Sequence, residues 1–484
     1  MTMFKDLEPV SVLNIFGELS TVPHGSGSTK AISDWCMNFA KHHGLQAWQD
    51  EANNVVIVKE ASQGYEDAPT VILQGHLDMV LEKTAECTKD LLTEGLDLRT
   101  DGNFVWAEGT TLGGDNGIAV AMALAVLEDD TIAHPRLEVV LTTDEEIGMV
   151  GAAALDGSRL QGRKMLNLDS EMEGVFTVSC AGGVRAGCVL PVDRMEFSGT
   201  LCKLEVSGLQ GGHSGIEIHK GRANANVLMI RLLWELSQQV PVSLVELDGG
   251  LADNAICRQT KAAVLVPTEE AETVRELIKQ CLAAFRQEYR VTEPELSVTV
   301  ETVENQTARG LSLSAADRVI SALMALPNGV QSMSMEIEGL VQTSLNLGIL
   351  RLGEQVLTAD FAVRSALGSE KELLCSKLDC ICRLAGGEVN FSGDYPAWEY
   401  EPQSTVRTLV ADVYKAQTGK DPVIEAIHAG LECGVFAGKL PGLDCVSLGP
   451  NLLDIHTPQE RMEIASVRRT WKLLLEVLKR SKEL

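Results

Sequence analysis

Short apolar runs broken by polar, glycine-rich stretches organise the first part of the chain. Val55–Val58, Thr70–Leu73, Leu137–Thr142 and Lys164–Leu168 read as buried strands. Between them, Ile118–Leu127 (IAVAMALAVL) is apolar almost all round, which predicts a helix packed inside a core. This βαβ rhythm predicts an α/β domain whose mainly parallel sheet is flanked by helices. Sheets of that kind gather ligands at the carboxyl ends of their strands, where most of the polar clusters described below fall. The N-terminal stretch MTMFKDLEPVSVLNIFGELS alternates acidic and apolar positions and predicts a first amphipathic helix. It lacks the basic head and apolar segment of an export signal.

The rhythm changes after Gly182-Gly183. Strand Leu201–Val206, helices Asn224–Gln239 and Glu269–Tyr289, and strand Leu296–Val303 form one round. Helix Ser314–Leu326, strands Leu345–Leu350 and Val356–Val363, and helix Ser369–Leu384 form another. Two such rounds predict an inserted α+β domain with two related halves. From about Asp394 the α/β pattern returns: helix Val406–Gln417, strands Val423–Ile427 and Cys445–Leu448, and a final helix from Ile464. The expected division is a catalytic domain of residues 1–184 and 393–484, interrupted by a lid or dimerisation domain of residues 185–392.

A length of 484 residues agrees with more than one core. Lysine and arginine number 41 against 68 aspartates and glutamates, a formal charge of −27, which repels nucleic acid and anionic lipid. Most of that acidity serves solubility; a smaller part can belong to cation sites. No run approaches the ~20 apolar residues that span a bilayer. The twelve cysteines are scattered, mostly in apolar segments (Cys180, Cys188, Cys202, Cys281), and Cys380 and Cys382 stand too close for a zinc pair. Reduced thiols and a cytoplasmic setting are expected.

Four clusters punctuate the α/β part: Gln74-Gly75-His76-Leu77-Asp78, Gly113-Gly114-Asp115-Asn116-Gly117, Thr143-Asp144-Glu145-Glu146-Ile147-Gly148 and Asn167-Leu168-Asp169-Ser170. A fifth, Asp454-Ile455-His456-Thr457, follows the last strand. In an extended segment Asp78 shares a face with His76 and can orient its ring toward a metal, although a purely structural His–Asp pair has the same spacing. Asp115 among glycines before an apolar helix is a ligand or a helix N-cap. Adjacent carboxylates at Glu145 and Glu146 call for a cation or for solvent. Asp169 ends a buried strand, where a charge is harder to explain away. Taken together, two histidines and three carboxylates suit zinc, cobalt or manganese. A bridging carboxylate lets five ligands hold two ions, leaving another carboxylate as base for hydrolysis of a peptide or amide bond.

The order HLD, GGDNG, DEEIG, NLDS and a late histidine, with HSG in an insertion, resembles the M20 di-zinc peptidases, the family of the aminoacylases and glutamate carboxypeptidases. GGHSGIEIHKGRANA (Gly211–Ala225), NAICR (Asn254–Arg258) and IHAGLECG (Ile427–Gly434) are similar to its aminoacyl-histidine dipeptidase branch, the cytosolic non-specific dipeptidases. The resemblance spans essentially the full chain. It implies two zinc ions, one on His76 and Asp169, the other on Glu146 and His456, with Asp115 bridging and Asp78 orienting His76. It makes Glu145 the general base and implies hydrolysis of unblocked dipeptides, notably those ending in histidine, including β-alanyl-histidine. His213 is an exposed loop histidine by composition; by resemblance it donates a hydrogen bond to the oxyanion. Asn254 and Arg364 are expected to grip the substrate's terminal carboxylate, although an arginine ending a strand is often an ordinary surface residue. His428 is either a substrate contact or a core residue, and His24 is expected to border the cleft. His42, His43, His134 and His219 have no assigned role. A homodimer is the expected assembly.

Other classes fit less well. Gly212-His213-Ser214-Gly215 is followed by Ile216 and so breaks the Gly-x-Ser-x-Gly pattern of a serine hydrolase. The phosphate-binding Gly-x-x-x-x-Gly-Lys-Ser/Thr is missing. A non-catalytic peptide- or metal-binding protein would have no use for Glu145. A tripeptidase or N-deacylase would keep the same chemistry on another substrate.

Overall fold

The structure is a computed structural model that describes residues 4, 5 and 7–484. The expected first helix forms over Val10–Leu19, while residues 1–3 and 6 of its run lie outside the described residues. The chain divides into two compact units. One comprises the residues up to Cys180 with Tyr400–Ala426 and Leu431–Leu484; the other comprises Ala181–Glu399 and Ile427–Gly430.

The first unit is built on an eight-stranded sheet among the described residues. Its order is Gln46–Gln49, Val55–Lys59, Leu137–Thr142, Val71–His76, Lys164–Asn167, Asp444–Ser447, Val175–Cys180 and Val423–Ile427. Four central strands are parallel, and antiparallel pairs stand on either side of them. Every residue of Val71–His76 and Leu137–Thr142 is buried. Central strands covered on both faces therefore read as continuous apolar runs, not as alternation. Helix Gly114–Glu128 packs beside Val71–His76. Its residues Ile118–Leu127 are all buried, as an all-round apolar helix requires.

Parallel strands end on a common edge, and their register places that edge closely. Gln74 pairs with Asn167 and His76 with Thr142. The segments carrying Asp78, Glu145–Glu146 and Asp169 therefore leave the sheet side by side. A small four-stranded sheet adds the remaining pieces. Within it, Arg461–Glu463 pairs with Leu452–Leu453 and with Phe104–Ala107. That pairing fixes the loop holding His456 next to the strand that leads into Gly113–Gly117.

The second unit has a nine-stranded antiparallel sheet. Its order is Ser297–Leu311, Arg194–Ser207, Thr260–Val266, Ser243–Gly249, Val341–Leu352, Val356–Ser365, Gly182–Pro191 and Glu388–Tyr395, with Gly329–Met333 also pairing to Val341–Leu352. Both predicted rounds of strands and helices join in this one sheet. Helices Ala225–Ser237, Ala271–Glu288, Leu313–Ala325 and Gly368–Leu384 share one core with it, in which Leu232, Leu233, Val319 and Leu378 are fully buried. No disulfide forms among the described residues. No helix among the described residues is long and apolar enough to cross a membrane.

Candidate metal centre

His76, Asp115, Glu146, Asp169 and His456 meet at the carboxyl edge of the first unit's sheet. His76 Nε2 lies 3.1 Å from Asp115 Oδ1 and 3.5 Å from Asp169 Oδ1. His456 Nε2 lies 2.9 Å from Glu146 Oε1 and 3.3 Å from Asp115 Oδ2. Asp115 thus presents one carboxylate oxygen to each of two His–carboxylate pairs. Ligand atoms of His76, Asp115 and Glu146 all fall within 4.8 Å of one another, close enough to share an ion.

Asp115 stands at φ −84° and ψ 105°, outside helical geometry at the start of the apolar helix, and both of its carboxylate oxygens face imidazole rings. The Asp115–Asn116 peptide is cis. Asn116 then links the strand ends: its Oδ1 accepts the His76 N–H at 3.2 Å and its Nδ2 donates to the Leu168 carbonyl at 3.0 Å.

Crowding of carboxylates around two imidazoles shifts the titration of the whole cluster. Burial opposes protonation of His76, yet Asp169, Asp115 and Asp78 outweigh it and hold the ring well above the usual histidine range. Hydrogen bonds to Asp115 and Glu146 lift His456 to about 10. Burial, with Asp169, Glu432 and Glu146 nearby, pushes Glu145 up to about 9. Burial likewise brings Asp169 to about 6. Two imidazoles and three carboxylates form a donor set suited to borderline divalent cations. The residues present fit such ions.

Asp78 does more than orient a ring. His76 Nδ1 donates to the Asp78 carbonyl at 2.9 Å, with the Asp78 carboxylate farther off at 3.5 Å. That carboxylate accepts the Glu145 N–H at 3.1 Å, the Glu146 N–H at 3.3 Å and the Ser26 hydroxyl at 2.8 Å. The Gly27 N–H donates to Asp144 Oδ1 at 2.7 Å, and Asp144 is held at φ 55°. The Pro23–Ser28 loop therefore buckles the His76 strand end to the loop of Glu145. His24 is buried in that buckle, its carbonyl accepting the Met79 N–H at 3.1 Å.

Other contributors had no recognisable periodic signal in the sequence. Glu432, 1% exposed, accepts from Gln74 Nε2 and Thr142 Oγ1, each at 2.6 Å. Asn167 Nδ2 donates to Gln74 Oε1, so one buried polar layer joins three strands directly beneath the site. Glu432 belongs to the IHAGLECG segment, yet nothing in its spacing marks it. Glu460 accepts four consecutive backbone N–H groups, from Leu112, Gly113, Gly114 and Asp115. It follows His456 by four residues, and only that closeness in sequence could have drawn notice to it.

The remaining expected site residues belong to the second unit. His213 lies on a two-residue strand, Gly212–His213, paired with Ala255–Ile256. Its Nδ1 accepts the N–H groups of Gly215 at 3.1 Å and Ile216 at 3.3 Å, which leaves the proton on Nε2. Burial, then the charge of Arg364, lowers its pKa. His213 is thus a neutral ring with a fixed Nε2–H donor. Arg364 is half-buried, with Nη1 donating to Tyr395 Oη at 2.8 Å and a buried Nε lacking a partner. It is not an ordinary surface arginine. His428 is buried and bonded to Ser344 Oγ at 2.7 Å, and burial with the nearby Arg364 brings it down to about 3. Asn254 is exposed, and its carbonyl accepts the Ser214 N–H at 2.8 Å.

Residues 72–480 match the peptidase family M20/M25/M40, and the chain belongs to that family. It is 37% identical over 481 residues to the cytosol non-specific dipeptidase of Escherichia coli, covering 99% of both chains. The crystal structure of an aminoacylhistidine dipeptidase from Vibrio alginolyticus is similar with a TM-score of 0.93 at 36% identity, covering 99% of both chains. A tripeptidase from Staphylococcus aureus shares the fold at a TM-score of 0.55 and 15% identity, over 99% of this chain and 100% of that one.

Histidine ligates a metal only as the neutral ring, so ions entering this cluster must displace the protons on His76 and His456. Because both pKa values are raised, those protons are held at neutral pH, and His456 keeps its own until about pH 10. Metal affinity should accordingly strengthen as pH rises from 6 to 8. Loading the metal-free protein at pH 7 should release at least two protons, one from each ring, and more as the cations draw Glu145 toward its carboxylate form. Calorimetric titration in buffers of different ionisation enthalpy measures that number, and a value near zero would contradict the charge state described.

Proposed function

We propose that this chain is a cytosolic, metal-dependent dipeptidase acting on unblocked dipeptides, including those with a C-terminal histidine such as β-alanyl-histidine. The observation that carries the reading is the division of Asp115 between two His–carboxylate pairs, with an unpaired carboxylate, Glu145, beside them. The names of the Escherichia coli and Vibrio alginolyticus relatives support the substrate class.

His76 and Asp169 would hold one divalent ion and Glu146 and His456 the other, with Asp115 shared; zinc suits the set, and cobalt or manganese can substitute. When bound, such a pair polarises a carbonyl and makes water a stronger nucleophile at neutral pH. Asp78 fixes the backbone of Glu145 through the N–H it accepts. Glu145, whose ion-free carboxyl holds its proton up to about pH 9, is drawn toward the carboxylate form by neighbouring cations and can then act as a base. It takes a proton from the attacking water and returns it to the leaving amine nitrogen. His213 donates its Nε2–H to the carbonyl oxygen as negative charge develops there. Arg364, with an unpartnered buried Nε, and Asn254 hold the terminal carboxylate, and His428 borders the same group.

A panel of β-alanyl-histidine, leucyl-histidine, leucyl-glycine, an N-acetylated amino acid and a tripeptide, assayed with and without chelator, tests this reading. Chelator-sensitive cleavage of the free dipeptides alone is expected. Cleavage confined to the acetylated compound or the tripeptide would overturn the substrate, and no cleavage with ions bound would leave a binding protein. Glu145→Gln should lower kcat by roughly 10²–10⁴-fold while metal content, read by elemental analysis, stays unchanged. A near-normal rate would remove Glu145 from the chemistry. His213→Ala should lower kcat by about 10²–10³-fold at intact metal content. A rise in KM alone would make His213 a binding contact instead of an oxyanion donor.

A further inference from the structure

Asp115 can serve two ions only if its two oxygens are held in place between His76 and His456, and the structure shows what holds them. Leu112, Gly113, Gly114 and Asp115 turn four successive N–H groups toward one carboxylate, that of Glu460. Oε2 accepts from Leu112 at 2.7 Å and Gly113 at 3.1 Å. Oε1 accepts from Gly114 at 2.9 Å and Asp115 at 3.4 Å. Successive backbone N–H groups of this kind form an anion-binding nest, here filled by a side chain. Glu460 is 2% exposed.

The same residue closes the loop that carries His456. Its own N–H donates to the Thr457 carbonyl at 3.1 Å, and Thr457 Oγ1 donates to the Asp454 carbonyl at 2.7 Å. His456 and Asp454 are both held at positive φ, 58° and 54°, within that short loop. One carboxylate thus joins the backbone that presents Asp115 to the backbone that presents His456.

We propose that Glu460 is a positioning residue for a two-ion centre: it fixes Asp115 against His456 so that the aspartate bridges both half-sites. The proposal rests on the two-ion reading given above. Pairing of Arg461 with Trp106 and of Met462 with Val105 also links the two segments. That contact sets strands side by side but leaves the four N–H groups unaddressed. Replacing Glu460 by glutamine keeps the size of the side chain but turns an NH2 group toward two N–H donors. The nest then loses half its acceptors, and the Asp115 backbone must shift.

Manganese titration of metal-free wild type and Glu460→Gln, followed by calorimetry and electron paramagnetic resonance, tests the assignment. Wild type is expected to bind two ions and show the exchange-coupled spectrum of a bridged pair. Glu460→Gln should bind the second ion roughly 10–100-fold more weakly and, at matched loading, show magnetically isolated ions. A coupled spectrum with unchanged affinities in Glu460→Gln overturns the proposal, even if thermal stability falls, because a purely structural role predicts that result. A wild type that binds one ion or shows no coupling overturns the two-ion reading itself, and this inference with it. Should Glu460→Gln not fold, Glu460→Asp keeps the charge, shortens its reach and is read by the same two criteria.

Discussion

Crowding of negative charge at one edge of a sheet governs the first unit. Asp78, Asp115, Glu145, Glu146, Asp169 and Glu432 all press on the space around His76, and most of them are buried or nearly so. Taking carboxylates out of water is costly unless each finds donors or a cation. The chain solves part of this with its own backbone. Asp78 receives the N–H groups of Glu145 and Glu146, and Glu460 receives four more. What remains, chiefly Asp115, Asp169 and Glu146, meets the two histidine rings, and among the described residues no lysine or arginine pairs with it. Carboxylates gathered this way, with imidazoles as their partners, make a set that divalent cations would complement.

The surrounding fold follows from this demand. Parallel strands buried on both faces end in register, so residues two to four positions beyond the strands converge without long connecting loops. Beneath them, Gln74, Thr142 and Asn167 on three strands and Glu432 at the start of a helix form a hydrogen-bonded polar layer, with Asn167 Oδ1 and Glu432 Oε1 left without partners. A hydrogen-bonded layer inside a low-dielectric core is rigid, because any slip leaves a buried donor unpaired. The ligands therefore stand on a base that resists the repulsion among them.

Much of this was legible in the chain. The parallel strands at the centre of the sheet and the helix Gly114–Glu128 follow from unbroken apolar runs, and the polar clusters show in the sequence at strand ends and at the start of that helix. Each cluster is a local signal; that His456 joins the others was implied only by the family resemblance. Glu460 and the Ser26 contact to Asp78 act across 345 and 52 residues, respectively, and no local spacing encodes such a meeting. In the second unit, Arg194–Ser207 and Ser297–Leu311 extend well beyond their apolar stretches. Their outer ends alternate with charged and polar residues that face solvent, so only part of each strand looks apolar. Glu388–Tyr395 is an edge strand exposed along most of its length, and composition alone gives it no strand signal.

His213 shows how a backbone can settle chemistry that composition leaves open. A histidine in a glycine-rich turn is ordinarily a mobile surface residue that titrates near neutrality. Here two backbone N–H groups occupy Nδ1, and burial with the charge of Arg364 disfavours a second proton. Both effects act in the same direction. The turn after the histidine brings those N–H groups, from Gly215 and Ile216, within reach, while Gly211 at φ 70° and Gly212 at φ 141° before it occupy conformations that side chains strain to adopt. A neutral ring with its proton fixed on Nε2 can donate to an oxygen without first losing or gaining a proton. That is the property an oxyanion donor needs, and it arises from the turn instead of from any neighbouring acid or base.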